Sequence, residues 1–244
     1  MQTKIYAVGD VHGRLDLLEE LYEQIRAHAA RHPAQRQVLL HLGDYVDRGP
    51  DSRGVILRVK AELAGFETVA LKGNHEQMML DFLEEGSGDA LEIWLRNGGA
   101  AALESFGIDT DLDSVDREEA IASVGPDILR WLSTLVRSHR EGGFFFAHAG
   151  VRPGVPLNRQ RPEDLIWIRE RFTDSDEDFG LRIVHGHSPS EAPVVRRNRI
   201  GIDTGAVWTG RLTAAILDPD RPLDEPAFLM TAGPTLDELE DSQR

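Results

Sequence analysis

The first 85 residues repeat one pattern three times, and this repetition restricts the fold more than any other feature of the sequence. In each repeat a short apolar run leads into a polar, glycine-containing turn, and apolar side chains then recur at helical spacing. Strands that alternate with helices predict βαβ units, and therefore an α/β fold in which helices cover a mostly parallel sheet. The runs are residues 5–8 (IYAV), 38–42 (VLLHL) and 68–71 (TVAL), and the turns are residues 9–13 (GDVHG), 43–50 (GDYVDRGP) and 73–76 (GNHE).

The pattern changes after residue 85. Residues 86–140 show only helical periodicity, so we expect a helical insertion beside the sheet. Within it, residues 97–99 (NGG) are more typical of a helix C-cap than of a bend near a functional site. Strands should resume after the insertion, and their connections are too short for crossover helices, so we expect this half to be largely antiparallel. The predicted strands are residues 144–147, 182–184, 194–195, 199–202 and 212–217, with one helix over residues 163–171.

Length and composition limit the class of protein. With 244 residues and 41% apolar side chains, the chain can bury one substantial core, and we expect a single domain over residues 1–232 and an acidic flexible tail over residues 233–244. The net charge of -15 disfavours a nucleic acid partner. The absence of cysteine excludes disulfides, thiolate ligands and cysteine catalysis. Without a signal-peptide pattern or a membrane-spanning run, we expect a cytoplasmic protein with no membrane partner, monomeric by default.

Side chains that can bind metals follow five of the predicted strands. An aspartate at a strand end often caps a helix, and a lone histidine is more often a hydrogen-bonded core residue than a ligand. Capping does not call for histidine or asparagine, however, and the carboxyl ends of strands in an α/β sheet converge on one crevice. We therefore predict a shared metal site. The side chains are Asp10, His12, Asp44, Asn74, His148, and His185 or His187.

The ligand types narrow the choice of metal. Carboxylate, imidazole and amide groups without thiolates suit Mn²⁺, Fe or Zn²⁺ better than Mg²⁺ or a copper electron-transfer site. Six side chains are many for one ion that keeps an open position, and they suit two ions that share a carboxylate. Asp44 is the natural bridge because it is the middle carboxylate of the set.

The motifs resemble those of a known family. GDVHG, GDYVDRG and GNHE are similar to the GDxHG, GDxVDRG and GNHE signatures of the PPP family of metal-dependent serine/threonine phosphatases, in the same order. Residues 148–150 (HAG) and 185–187 (HGH) resemble its later histidine blocks. Residues 167–171 (WIRER) and 202–206 (IDTGA) resemble the small bacterial and bacteriophage lambda type. The resemblance covers residues 5 to about 217 and implies the calcineurin-like fold, a β-sandwich of mixed sheets flanked by helices.

The resemblance also implies a role for each matching residue. Asp10 and His12 would hold one metal and Asp44 would bridge both, with Mn²⁺ as the expected ion. The second metal would be held by Asn74, His148 and His187, which leaves His185 outside the metal shell. The general acid would be His75, with Asp47 orienting it. The phosphate-binding arginines would be Arg48 and Arg169, with Arg171 as a possible substitute for Arg169.

The resemblance implies hydrolysis of phosphoserine or phosphothreonine in proteins, by direct attack of a hydroxide that bridges the two metals. Close to two cations, His75 would be neutral unless a carboxylate such as Asp47 keeps it protonated. The alternative substrate within the family is a dinucleoside polyphosphate such as diadenosine tetraphosphate. A phosphodiesterase or nuclease is disfavoured by the net charge and by the Asp47-Arg48 pair. A catalytically silent binding module is disfavoured by the completeness of the ligand set.

Overall fold

The computed structural model describes residues 3–85, 88–110, 115–235 and 237–238, and within them two mixed sheets form a sandwich. The first sheet has the strand order β10-β9-β1-β2-β3 and the second has the order β4-β5-β6-β8-β7. The strands are β1 (Thr3–Val8), β2 (Arg36–His41), β3 (Glu67–Ala70), β4 (Ser138–Glu141), β5 (Phe144–Ala147), β6 (Arg182–His185), β7 (Val194–Val195), β8 (Arg199–Gly201), β9 (Thr213–Leu217) and β10 (Ala227–Met230).

Helices cover the first sheet and fill the predicted insertion. Pro126 lies at the first turn of its helix, where its missing N–H costs nothing. The helices are α1 (Leu15–Arg31), α2 (Ser52–Lys60), α3 (Asn74–Glu85), α4 (Gly88–Arg96), α5 (Gly99–Ser105), α6 (Arg117–Val124), α7 (Pro126–Thr134), α8 (Pro162–Trp167), α9 (Glu170–Thr173) and α10 (Ala206–Thr209).

The core explains why the first strands are apolar on both faces. One set of side chains on β1 and β2, including Ile5 and Val38, packs in the cluster that joins the two sheets, together with Phe146 and Val184 from the second sheet. Side chains of the opposite face, such as Tyr6, pack in the cluster that includes α1 and α2. Strands buried on both faces read as continuous apolar runs, and this reading predicted β1 and β2 correctly.

The predicted parallel pairing of the first half is confirmed, because β1 pairs in parallel with β2, and β2 with β3. The prediction of a largely antiparallel second half is wrong for the centre of the second sheet, where β5, β6 and β8 are parallel neighbours. The short β7 returns the chain and pairs antiparallel on the outer side of β8, so no crossover helix is needed between β6 and β8.

Three further details differ from the prediction. The helix expected over residues 163–171 is broken into α8 and α9 at Arg169, whose φ and ψ are -129° and -116°. The region expected to be helical up to residue 140 ends in the polar edge strand β4, and β10 was not predicted. Both are edge strands: β4 (SHRE) lacks the apolar run of central strands, whereas β10 (AFLM) is a short apolar run that the sequence prediction missed.

The start of the predicted tail contacts Arg14, the residue before α1, whose Nη2 donates to the Pro234 carbonyl at 2.7 Å. Residues 236 and 239–244 lie outside the described residues, so a flexible tail stays a prediction. Within the described part of the chain, no helix combines the length and the apolar character that crossing a membrane requires.

Candidate metal centre and active site

The six predicted metal ligands lie together at the carboxyl-end side of the strands. They follow β1, β2, β5 and β6 or begin α3, and all six are buried. Three of them have left-handed backbones, with φ of 46° at His12, 55° at Asp44 and 62° at His187. Such conformations cost free energy in residues other than glycine and concentrate at functional sites. The loops are therefore shaped to aim these side chains inward.

Asp44 lies at the centre of the cluster. Its Oδ2 atom is 3.3 Å from Nε2 of His148 and 3.5 Å from Nε2 of His12. Its Oδ1 atom accepts a hydrogen bond from the backbone N–H of His75 at 3.1 Å. One carboxylate thus faces imidazoles from two different strand ends, which is the position expected of a bridging ligand.

The tautomers of two histidines suit metal binding. Nδ1 of His12 lies 2.8 Å from the Val46 carbonyl, and Nδ1 of His148 lies 3.0 Å from the Leu42 carbonyl. A carbonyl only accepts, so each Nδ1 carries a proton, and each Nε2 is the ring atom left to bind a metal. Outer hydrogen bonds of this kind fix the orientation of metal-ligating histidines in proteins.

The electrostatics at His148 call for a cation. Its Nε2 atom faces Oδ1 of Asn74 at 2.9 Å and Nδ1 of His187 at 3.2 Å, besides the Asp44 carboxylate. Burial lowers the pKa of His148, but the carboxylates of Asp44, Asp10 and Glu76 together outweigh burial and raise the pKa to about 9. Positive charge is therefore favoured where these electron-pair donors converge, and a divalent cation supplies it. The groups His12, Asp44, His75 and Asp44, His148, His187 each bring their ligand atoms within 4.8 Å of one another.

Asp10 completes the set on the side of β1. Its Oδ2 atom accepts from the backbone N–H of His187 at 3.0 Å. Its Oδ1 atom and Nε2 of His187 are buried without a hydrogen-bond partner among the described residues. Burial and the nearby carboxylate of Asp203 raise the pKa of Asp10, so a cation would relieve an unfavourable charge there. The donor set and the unpartnered Oδ1 atom of Asp10 fit a metal centre.

His75 lies beside this centre with Asp47 behind it. Nδ1 of His75 is 2.6 Å from Oδ2 of Asp47, as the resemblance implied. Burial, with a smaller contribution from the Arg48 guanidinium, lowers the pKa of His75 to about 4. Asp47 alone therefore does not keep this imidazole protonated, contrary to the expectation from sequence. Protonation needs an added negative charge, such as the phosphate group of a substrate.

The two predicted arginines border the same space. Nη1 of Arg48 is 2.7 Å from Nε2 of His12, and Nη2 is 2.9 Å from Nε2 of His75. Arg169 donates from Nη1 to the His187 carbonyl at 3.1 Å, and the break between α8 and α9 gives it this direction. Arg171 is exposed on α9.

His185 does not join the cluster. Its ring packs edge-on against Phe172 at 5.0 Å, and its Nδ1 lies 3.0 Å from the Gly186 carbonyl. The prediction that left His185 outside the metal shell agrees with this placement.

Sequence reasoning missed two residues that hold the site. Glu76 is fully buried and accepts from the backbone N–H of Asp44, Tyr45 and Gly73. Trp94 donates from its indole to the Asp47 carboxylate. Glu76 belongs to the GNHE motif, so its position in that motif was a usable signal. Nothing in the sequence around Trp94 distinguishes it from an ordinary core residue of an amphipathic helix.

Comparison with known proteins places this site in a family. The family model for calcineurin-like phosphoesterases matches residues 3–208. The chain belongs to the calcineurin-like phosphoesterase family. The resemblance seen in the motifs is thereby confirmed, and so is the predicted fold class. Members of this metallophosphoesterase family use divalent metal ions, and among the described residues the Asp44 cluster could bind them.

Proteins similar in sequence to this chain are named for two different activities. Serine/threonine-protein phosphatase 1 of Salmonella typhimurium is 30% identical over 216 residues, covering 86% of this chain and 90% of that protein. Bis(5'-nucleosyl)-tetraphosphatase PrpE (asymmetrical) of Oceanobacillus iheyensis is 28% identical over 247 residues, covering 86% and 87%. The crystal structure of a metallophosphoesterase from Sphaerobacter thermophilus superposes with a TM-score of 0.58 at 16% identity, covering 100% of this chain and 95% of that one. The relatives agree on a phosphoesterase and differ in substrate.

Proposed function

We propose that this phosphoesterase hydrolyses phosphoserine and phosphothreonine in proteins, with two divalent metal ions. The observation that carries the proposal is the contact of one guanidinium with a histidine that has a carboxylate behind it: Arg48 lies 2.9 Å from His75, and His75 lies 2.6 Å from Asp47. A phosphate group held by Arg48 would have the His75 imidazole beside its ester oxygen. The arrangement supports protonation of a leaving group at the site of bond cleavage.

An alkyl phosphate ester needs such an acid more than a phosphoanhydride does. The leaving group of phosphoserine is a strongly basic alkoxide, whereas that of a dinucleoside polyphosphate is a weakly basic nucleotide phosphate. General acid catalysis gains most when the leaving group is basic, and it contributes roughly 10²–10⁴-fold in enzymes. The Asp47-His75 pair therefore favours a monoester of serine or threonine.

The proposed metal shell follows the geometry described above. Asp10 and His12 would hold the first ion, Asp44 would bridge, and Mn²⁺ fits this oxygen and nitrogen donor set, as do Fe and Zn²⁺. Bound divalent ions supply charge neutralisation and an activated water at neutral pH. The second ion would be held by Asn74, His148 and His187.

The protein's own residues would then bind and orient the phosphate. Arg48 and Arg169 would hold the phosphate oxygens from two sides of the cluster, because planar guanidinium groups match phosphate oxygens in geometry and charge. The negative charge of the phosphate would raise the pKa of His75, so the acid becomes protonated when substrate is bound. His75 would give its Nε2 proton to the departing oxygen while Asp47 holds Nδ1.

The second candidate function is hydrolysis of dinucleoside tetraphosphates. It is supported by the relative from Oceanobacillus iheyensis, whose name states that activity and whose match covers 86% of this chain. Its sequence identity to this chain, 28%, is close to the 30% identity of the protein phosphatase from Salmonella typhimurium.

One experiment separates the two. Purified enzyme with Mn²⁺ is assayed on a phosphoserine peptide and on diadenosine tetraphosphate, and kcat/KM is compared for the wild type and for His75→Asn. We expect the peptide to be the better substrate, and His75→Asn to lower its kcat by about 10²-fold or more without loss of bound metal. His139→Asn, at a partly buried histidine of β4, is the control. A higher kcat/KM for the dinucleotide, or an unchanged rate in His75→Asn, would contradict the proposal.

A further inference from the structure

The helical insertion contacts the proposed acid directly. Trp94 belongs to α4 and is fully buried. Its indole Nε1 donates to the carboxylate of Asp47, 2.9 Å from Oδ1 and 3.0 Å from Oδ2. The indole N–H can only donate, so Asp47 is the acceptor in this contact. The same carboxylate lies 2.6 Å from Nδ1 of His75. Asp47 is thus held between a side chain of the insertion and the proposed acid.

A second contact links the insertion to the same turn. The Gly98 carbonyl accepts from the backbone N–H of Arg48 at 3.0 Å. Gly98 has a φ of 100°, and a Cβ there would lie 2.7 Å from Cγ of Arg48. The turn it contacts is strained, because Asp47 and Arg48 have φ of 73° and 70°. Two consecutive left-handed residues persist only where their surroundings hold them, and α4 and the turn after it supply part of that support.

Trp94 is itself held in place from two sides. Its ring lies 5.6 Å from that of Phe82 on α3, with an angle of 31° between the planes. On the other side, a Cβ at Gly99 would come within 2.7 Å of the indole ring. The NGG sequence of residues 97–99 therefore does more than end a helix. The missing side chain of Gly98 leaves room for Arg48, and that of Gly99 leaves room for the Trp94 ring. The contact with Asp47 is formed by a ring that has little room to move.

We propose that Trp94 is a positioning residue for the acid: it holds the Asp47 carboxylate in the orientation that keeps His75 aimed at the leaving group. This inference rests on the proposed function. Removal of the indole N–H would leave a buried carboxylate with one donor fewer and free to rotate, and the imidazole would lose its fixed partner. Burial raises the pKa of Asp47, whereas the hydrogen bond from Trp94 lowers it, in agreement with this role. The helical insertion is then part of the catalytic apparatus and more than a rim around it.

The role predicts a dependence on the leaving group. Replacement of Trp94 by β-(3-benzothienyl)alanine keeps the ring size and removes the N–H, and Trp94→Phe removes it with a smaller ring. For a phosphoserine peptide we expect kcat to fall by about 10- to 100-fold with KM nearly unchanged. For p-nitrophenyl phosphate, whose leaving group needs little protonation, we expect a change of less than about threefold. Bound metal should equal that of the wild type. Phe82→Leu disturbs the packing without removing the N–H, and it is the matched control.

A double variant completes the test. If Trp94 acts through His75, Trp94→Phe should add almost nothing to the effect of His75→Asn. Equal losses on both substrates, or full additivity with His75→Asn, would show that Trp94 serves only packing and would overturn the proposal. The failure of the proposed function is distinguishable, because His75→Asn alone would then leave the peptide rate unchanged. If His75→Asn is slow and the benzothienyl variant retains the wild-type rate, only the role of Trp94 is refuted.

Discussion

The Glu76 carboxylate accepts a hydrogen bond from the backbone N–H of Asp44, with 2.9 Å between Oε2 and the nitrogen. The other carboxylate oxygen lies 2.7 Å from the nitrogen of Tyr45, and Oε2 also accepts from Gly73 at 2.8 Å. One buried side chain therefore ties the loop after β2 to the start of α3, and these segments carry the proposed ligands Asp44 and Asn74. The position of Asp44 at the centre of the cluster depends on this anchor.

We predict that Glu76→Gln destabilises the protein. A glutamine amide cannot accept all of these backbone hydrogen bonds, and its NH₂ group would face backbone donors. Leaving buried donors unpaired costs about 1–3 kcal/mol each, so the free energy of unfolding should fall by about 3 kcal/mol in urea titrations. Glu84→Gln, at an exposed position of the same helix, is the control and should change it by less than about 0.5 kcal/mol. Equal stabilities of the two variants would refute the anchor role.

Much of the fold and site followed from the sequence because the informative residues lie in short segments. Asp10 lies two residues after the end of β1 and Asp44 lies three residues after the end of β2, so local patterning predicted where these side chains meet. Contacts between distant segments could not be predicted in this way. The bond from Trp94 to Asp47 spans 47 residues and depends on how the insertion packs.

The dependence on contacts between distant segments also explains the errors in topology. The parallel pairing of β6 with β8 depends on where β7 packs, and the sequence pattern that located these strands does not show which strands pair. The break of the predicted 163–171 helix at Arg169 accompanies a tertiary contact, the hydrogen bond of Arg169 to the His187 carbonyl, which helical periodicity cannot reveal.

We predict that Arg169, and not Arg171, is the second phosphate-binding arginine. Both arginines are exposed, but Arg169 donates a hydrogen bond to the His187 carbonyl at the cluster, whereas Arg171 lies on α9. Hydrogen bonds to charged groups contribute about 1.5–3 kcal/mol, so Arg169→Ala should lower kcat/KM for a phosphopeptide by about 10- to 100-fold. Arg171→Ala should remain within about twofold of the wild type. Steady-state kinetics with both variants measures this, and a larger loss in Arg171→Ala would reverse the assignment.

We predict that buried His41 makes the protein less stable in acid. Its Nε2 lies 3.0 Å from the Tyr22 hydroxyl, and burial lowers its pKa to about 3. The unfolded chain binds a proton at His41 below about pH 6.5 while the folded chain does not, so stability falls as the pH drops from about 6.5 towards about 3. Between pH 7 and pH 5 this residue should account for about 2 kcal/mol.

The measurement is the loss of unfolding free energy between pH 7 and pH 5 in urea titrations. His41→Gln removes the titrating group, so its loss should be about 2 kcal/mol smaller than that of the wild type. His32→Gln, at an exposed histidine, is the control and should behave like the wild type. If His41→Gln loses as much unfolding free energy between pH 7 and pH 5 as the wild type, His41 is protonated in the folded protein.

The direct test of the central claim is metal analysis combined with activity. Enzyme loaded with Mn²⁺ and freed of excess metal should contain about two ions per chain. Chelation should abolish hydrolysis of the phosphoserine peptide, and Mn²⁺ should restore it. Asp44→Asn, which weakens the shared ligand, should bind fewer ions and lose activity, whereas His75→Asn should keep its ions and be slow. Full activity in chelated enzyme without bound metal, or two tightly held ions in Asp44→Asn with wild-type turnover, would contradict a metal centre built around Asp44.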